Sequence, residues 1–142
     1  MKKKFSNTWK ASKQPRKQRK YSANAPIHIR KKFVSINLSK ELRKKHKKRN
    51  VYARKGDRVK VKRGKYKEKT GKISKVDLKN SKIIIEGIQV KKQDGSKVNV
   101  KLQPSNLQIT ELNLEDKKRA EKFKIKETSK SVSAHKEKKW VI

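Results

Sequence analysis

Apolar residues in the middle of the chain recur with a period of two. Val59 and Val61 alternate with Arg58, Lys60 and Lys62, Val98, Val100 and Leu102 repeat the pattern, and Leu107 and Ile109 continue it in "NLQIT". Alternation of this kind sends every second side chain to one face, which marks a half-buried strand. The run "KIIIE", Lys82 to Glu86, is β-branched across its apolar part and reads as a more fully buried strand. Between "IQVKK" and "KVNVK" stands Asp94-Gly95, a hairpin signal because glycine tolerates the positive φ that such turns need. About five short antiparallel strands with frequent turns predict a mainly β fold, a small barrel or sandwich. Its expected core is Val59, Val61, Ile73, Val76, Ile84, Val98, Val100, Leu107 and Ile109.

On either side the pattern changes. In "NLSKELRKKHKK", Ser39 stands where an N-cap belongs, Glu41 falls in the first turn and basic residues follow, so residues 40–48 read as one short helix anchored by Leu38 and Leu42. Glu41 is the only acid in the first fifty residues, which form a cationic arm, and Pro15 and Pro26 oppose any long helix across it. Such an arm is expected to order on its partner. After Asn113, "LEDKKRAEKFKIKE" is helical in character, with Glu115 and Arg119 spaced for an i,i+4 pair, and past Thr128 a tail runs to the isolated Trp140. Three regions result: a basic extension over 1–50, a barrel over 51–112, and a C-terminal helix and basic tail over 113–142.

Composition narrows the function classes. With 30% hydrophobic and 41% charged residues, the 142-residue chain holds one small core, and its formal net charge of +34 calls for a polyanion to neutralise it. No apolar run is long enough for a membrane span, and no broad apolar face suits an interfacial helix. Cysteine is absent, so neither disulfides nor thiolate chemistry can operate. The basic N-terminus "MKKKFSNTWKASKQPRKQRK" lacks an apolar segment after it, which predicts that the chain stays inside the cell.

The stretch "GDRVKVKRGKYKEKTGKI", Gly56 to Ile73, poses the main chemical question: a nucleotide-phosphate loop, or a barrel loop that grips a nucleic-acid backbone. A P-loop needs four residues between its first glycine and Gly-Lys, then Ser or Thr for magnesium. Here six residues separate Gly64 from Gly71, and Lys72 is followed by Ile73. The pattern fails on both counts. His28, His46 and His135 lie in three separate segments without zinc-ligand spacing, and the acids are scattered singly among lysines, which suits neither metal binding nor paired acid-base work. No enzymatic activity, cofactor or metal is expected. A rigid barrel carrying Arg58, Lys60, Lys62, Arg63, Lys65, Tyr66, Lys67 and Lys72 would instead engage phosphates by counterion release. Trp9, Tyr21, Tyr52 and Tyr66 interleave with basic residues, as suits stacking on unpaired bases, although Tyr52 and Tyr66 serve equally well as barrel packing. Without an extended base-reading helix, RNA fits better than duplex DNA.

"GDRVKVKRGKYKEKTGKISKV" resembles a KOW motif, with Gly71 at its characteristic glycine. The flanks "NAPIHIRKKFVSINLSKELRKKHKKRNVYARKGD" and "KLQPSNLQITELNLED" resemble the archaeal and eukaryotic type of large-subunit ribosomal protein twenty-four, the likeness running from about Lys13 to Lys122. Glu68 stands where that family often has glycine, and Gln103 where histidine is common. The resemblance implies an SH3-like barrel bound to large-subunit rRNA near the peptide exit tunnel, acting early in subunit assembly, in cytoplasmic ribosomes. Its partners would be rRNA and neighbouring large-subunit proteins, with no membrane and no small-molecule substrate. The residues expected to meet rRNA are Trp9, Arg16, Arg19, Lys20, Tyr21, His28, Arg30, Lys31, Lys32, Arg43, Arg49 and Arg54 in the extension and the start of the barrel. In the barrel they are Arg58, Lys60, Lys62, Arg63, Gly64, Lys65, Tyr66, Lys67, Gly71, Lys72, Ser105 and Asn106. A KOW-type transcription elongation factor and a general nucleic-acid-binding protein remain as alternatives.

Overall fold

Alternating burial builds the centre of the molecule. In a computed structural model, which describes residues 5–124, strand β3 (Arg58–Val61) buries Val59 and Val61 completely and leaves Arg58 exposed. On either side it pairs antiparallel with β4 (Thr70–Asp77) and β7 (Leu107–Glu111), whose Ile73, Leu107 and Ile109 join the same core. Strand β5 (Lys82–Lys91) pairs with β4, and β6 (Lys97–Leu102) closes a hairpin with β5 through Gly95 at φ +81°. Two further strands, β1 (Ser35–Leu38) and β2 (Asn50–Tyr52), complete the order β2-β1-β7-β3-β4-β5-β6, with β1 parallel to β7. The architecture is mainly β, a single seven-stranded sheet compatible with an SH3-like barrel but not closed by hydrogen bonds between its two edges.

Several expectations need correction. The described residues hold seven strands rather than about five. β1 and β2 are too short to show a period, yet Ile36 and Leu38 of β1 are fully buried although they fall within the cationic first fifty residues. "KIIIE" and "IQVKK" are one strand, bent where Gly87 adopts φ +78° and the register with β6 shifts. Within it Ile83 and Ile85 are buried and Ile84 only partly so, because three consecutive isoleucines do not reveal which face is inside. Val76 and Val100 are also only partly buried, and Val98 is 42% exposed, since beyond Gly87 the β5–β6 ribbon carries the paired Val90 and Val98 into solvent.

The N-terminal arm has order of its own. Helix α1 (Pro15–Asn24) opens on Pro15, and Pro26 stands immediately before helix α2 (Ile27–Phe33), so both prolines sit at helix starts where a missing N–H costs nothing. Tyr21, Ala25 and Ile29 bury themselves between these helices with Phe5 and Phe33 against them. Arg30 ties the corner by donating to the carbonyls of Ala25 and Ala23 at 2.8 and 2.6 Å. Helix α3 (Lys40–His46) starts as its sequence predicts, the Leu42 N–H donating to Ser39 Oγ at 3.3 Å. The tail with His135 and Trp140 lies outside the described residues.

Helix α4 (Lys117–Lys124) is held to the sheet by an ion pair between residues far apart in sequence. The Asp57 carboxylate is wholly buried. It accepts from both terminal nitrogens of Arg119 at 2.7 and 2.8 Å and from the backbone N–H groups of Arg54 and Asn113, both at 2.9 Å. Arg119 in turn donates to the carbonyls of Asn113 and Tyr52. The i,i+4 pair with Glu115 therefore does not form: α4 begins at Lys117, and Glu115 instead accepts from the Asn113 amide at 3.1 Å. Phe123 completes the dock, meeting the His46 ring edge-on at 4.8 Å.

Two substitutions test this account. Arg119→Ala strands a buried carboxylate and should cost about 3 kcal/mol in urea unfolding; a loss below about 1 kcal/mol, the level of a surface pair, would contradict the role given to it. Gly71 has an ordinary φ, but a Cβ there would lie 2.7 Å from both Glu86 O and Ile85 Cγ2. Gly71→Ala should therefore destabilise by about 1–3 kcal/mol through overpacking at the β4–β5 contact.

Candidate nucleic-acid interface

The segment between β3 and β4 folds into a compact cationic loop. Glu68 N–H donates to Val61 O and Val61 N–H to Lys69 O, both at 2.9 Å, while Lys67 N–H turns back onto Gly64 O at 3.0 Å. Gly64 holds φ +93° with open space where a side chain would be, so its role is backbone freedom at the loop tip. Glu68 takes φ +69°, a conformation natural to glycine, at the position where glycine was the expected residue. Lys62, Arg63, Lys65 and Lys67 are exposed around this turn. Tyr66 instead lies partly buried against the core, with the Lys69 ammonium 5.5 Å from its ring centre.

A second loop is joined to the first. The short 3-10 turn Pro104–Asn106 precedes β7, and Asn106 O accepts from Lys62 N–H at 2.7 Å. Exposed Ser105 and half-buried Asn106 therefore share one end of the sheet with Lys62 to Lys67. Lys72 is exposed on β4, in register with Arg58. Gly71, in contrast, lies within the sheet, where the missing side chain makes room for Glu86 O and Ile85.

Acids temper the cationic face at defined points. Lys60 is ion-paired with Glu68, Arg58 with Glu111 at 3.2 Å and Arg54 with Asp116. The hydrogen bond from Lys60 holds the Glu68 carboxyl below its ordinary 4.5, and that from Arg54 holds Asp116 below 3.8. Asp116 also accepts from the Lys118 N–H, capping α4.

A cleft of about 860 Å³ between β2, β4 and α4 forms a further basic surface. Lys31 and Arg54, two of the expected rRNA contacts, line it together with Lys48, Lys55, Lys75, Lys118 and Lys122, which the sequence reading did not name. Tyr52, half exposed, stands at its wall. These lysines come from separate segments of the chain, and their only sequence signal was the general excess of positive charge.

Along the arm, Arg16, Arg19, His28, Lys31, Lys32 and Arg49 are exposed. Tyr21 is buried against Phe5 and Phe33, with ring centroids 5.1 and 6.1 Å away, so it packs the arm and is not open to base stacking. Arg30 is committed to the α1–α2 corner. Arg43 is half-buried, and its Nε lacks a hydrogen-bond partner among the described residues. Trp9 and Lys20 stand together, the Lys20 ammonium 5.5 Å from the indole centre. Among the described residues no group of three or more His, Asp or Glu side chains gathers as a metal site, and no helix is long and apolar enough to cross a membrane.

The Glu68 contact makes a pH prediction. Because its carboxyl is depressed in the folded state, whatever the pair contributes is present above the ordinary 4.5 and is lost as pH falls through the lower folded value. An NMR titration at low salt should place the Glu68 midpoint below 4.5, and added salt should raise it, since the pair is solvent-exposed. A midpoint indifferent to salt and to Lys60→Met would show that the pair does not persist in solution.

Residues 12–126 match the family described as the eukaryotic ribosomal proteins L26 and their archaeal L24 counterparts. The chain is 49% identical over 112 residues to the large ribosomal subunit protein uL24 of Methanoculleus marisnigri, an alignment covering 79% of this chain and 93% of that protein. It is 47% identical, with the same coverage, to the large ribosomal subunit protein uL24 of Methanospirillum hungatei.

Proposed function

Because the chain belongs to the family that joins the eukaryotic ribosomal proteins L26 to their archaeal L24 counterparts, we propose that it is a structural, non-catalytic component of the large ribosomal subunit that binds large-subunit rRNA. In this reading it acts early in subunit assembly, near the peptide exit tunnel of cytoplasmic ribosomes, and touches neighbouring large-subunit proteins. The sheet supplies a fixed grip, and the basic helical arm before β1 reaches into RNA.

The observation that carries the rRNA reading is the hydrogen bond joining Lys62 to Asn106, which combines two loops into one rigid cationic end. Lys62, Arg63, Lys65 and Lys67 are exposed there on a loop whose backbone is hydrogen-bonded, as suits a surface that matches a folded RNA backbone by shape. The cleft beside α4 adds a second basic face. A KOW-type transcription elongation factor would share the central motif, but the family match runs from residue 12 to residue 126 and takes in both flanks.

Sedimentation of cell lysate through sucrose gradients at moderate and high salt tests the assignment. The protein should travel with the large subunit at both; release at modest salt, or migration with DNA or polymerase, would refute it. Replacing Arg63, Lys65 and Lys67 by alanine should leave the fold intact and lower the slope of log affinity against log salt by roughly 2–3 for an rRNA fragment, one counterion-releasing contact being lost per residue.

A further inference from the structure

The segment before α1 contributes nothing to the sheet, yet its shape is fixed. Gln18 of α1 donates its side-chain amide to the carbonyls of Trp9, Lys10 and Ser12 at 3.1, 3.2 and 2.6 Å, and Lys10 N–H closes a turn onto Asn7 O at 3.0 Å. Between this clamped segment and the helix lies a pocket of about 300 Å³. That volume is at the low end of the range for small-ligand sites, roughly 300–1,000 Å³.

The lining is mixed in a specific way. Phe5 and Trp9 supply partly exposed aromatic surface, and the buried Tyr21 fixes Phe5 through their ring contact. Asn24, exposed at the end of α1, presents an amide that can both donate and accept, beside the hydroxyl of Thr8. Lys17 and Lys20 hold their ammonium groups 5.8 and 5.5 Å from the Trp9 ring centre.

We propose that this pocket takes one unpaired base of an RNA strand. The base stacks on Trp9 and Phe5, the Asn24 amide meets its edge, and Lys20, with Lys17 close by, meets the phosphate of the same nucleotide. The inference rests on the rRNA-binding reading and names the element of RNA that the arm engages. Stacking on aromatic faces is how proteins commonly hold bases splayed from single-stranded loops and bulges, whereas bases within a duplex are not free to enter. An aromatic side chain from a neighbouring protein would satisfy the walls, but it would bring no anion to Lys20 in the pocket lining or to Lys17 beside Trp9. A nucleotide brings both.

The test uses the full chain with two RNA hairpins, one carrying a single-nucleotide bulge of 2-aminopurine and one perfectly paired. Binding should change the 2-aminopurine fluorescence as the base stacks. Trp9→Ala should weaken binding of the bulged hairpin by about 5- to 150-fold, the range for losing one stacked base. Asn24→Ala, at an exposed position outside the arm's buried cluster, should weaken it by about 2- to 10-fold without disturbing the helices. Both variants should bind the paired hairpin as the parent does. If the parent binds both hairpins alike and the fluorescence does not respond, the pocket proposal fails while the RNA-binding reading stands. If the parent binds neither hairpin nor an rRNA fragment, the underlying reading fails as well. Cross-linking of Trp9 to protein instead of RNA in isolated large subunits would likewise overturn the proposal.

Discussion

The buried carboxylate of Asp57 imposes the constraint around which this chain is arranged. A charge with no exposed surface is tolerable only if each of its oxygens is met, and here four donors converge on the two. The donors come from the turn before β3, the segment after β7 and helix α4. Satisfying one side chain thus joins the beginning of the barrel to its end and fixes the helix beyond it. The same turn uses Gly56 at φ +89°, a backbone conformation that residues with a Cβ rarely adopt, beside the Asn113 side chain.

Against this one buried pair stands a chain with 46 basic and 12 acidic residues. Asp57, Glu68, Glu111 and Asp116 each hold a particular cation and set where it points, so the acids act as positioning groups more than as a balance of charge. The remaining positive charge spreads over the arm, the joined loops and the cleft. Large faces of one sign favour a partner that is itself extended and densely anionic.

What could be read in advance follows physical range. The alternation in β3 and β7, the Asp94-Gly95 hairpin and the Ser39 cap are decided by neighbours within a few residues, and the structure shows each. The Asp57–Arg119 pair spans 62 positions, and local spacing pointed Arg119 at Glu115 instead. Tyr21 had the composition of a base-stacking residue, lying among lysines and arginines, but its burial depends on Phe5 and Phe33 folding against it. Among the candidate contacts, the pattern around Gly64 drew attention to the loop. The cleft lysines escaped notice because only the folded sheet brings them together.

The parallel pairing of β1 with β7 carries a consequence for biosynthesis. β7 sits between β1 and β3, so the two early strands have no shared neighbour until Leu107–Glu111 exists. Through most of its translation, the nascent chain therefore exposes Ile36, Leu38, Val59 and Val61 without the strand that seals them. Its lysines and arginines keep that unfinished chain self-repelling and hinder clumping. The pairs β1–β2 and β3 to β6 join strands adjacent in sequence, so what waits for the last strand is the joining of these two parts into one sheet.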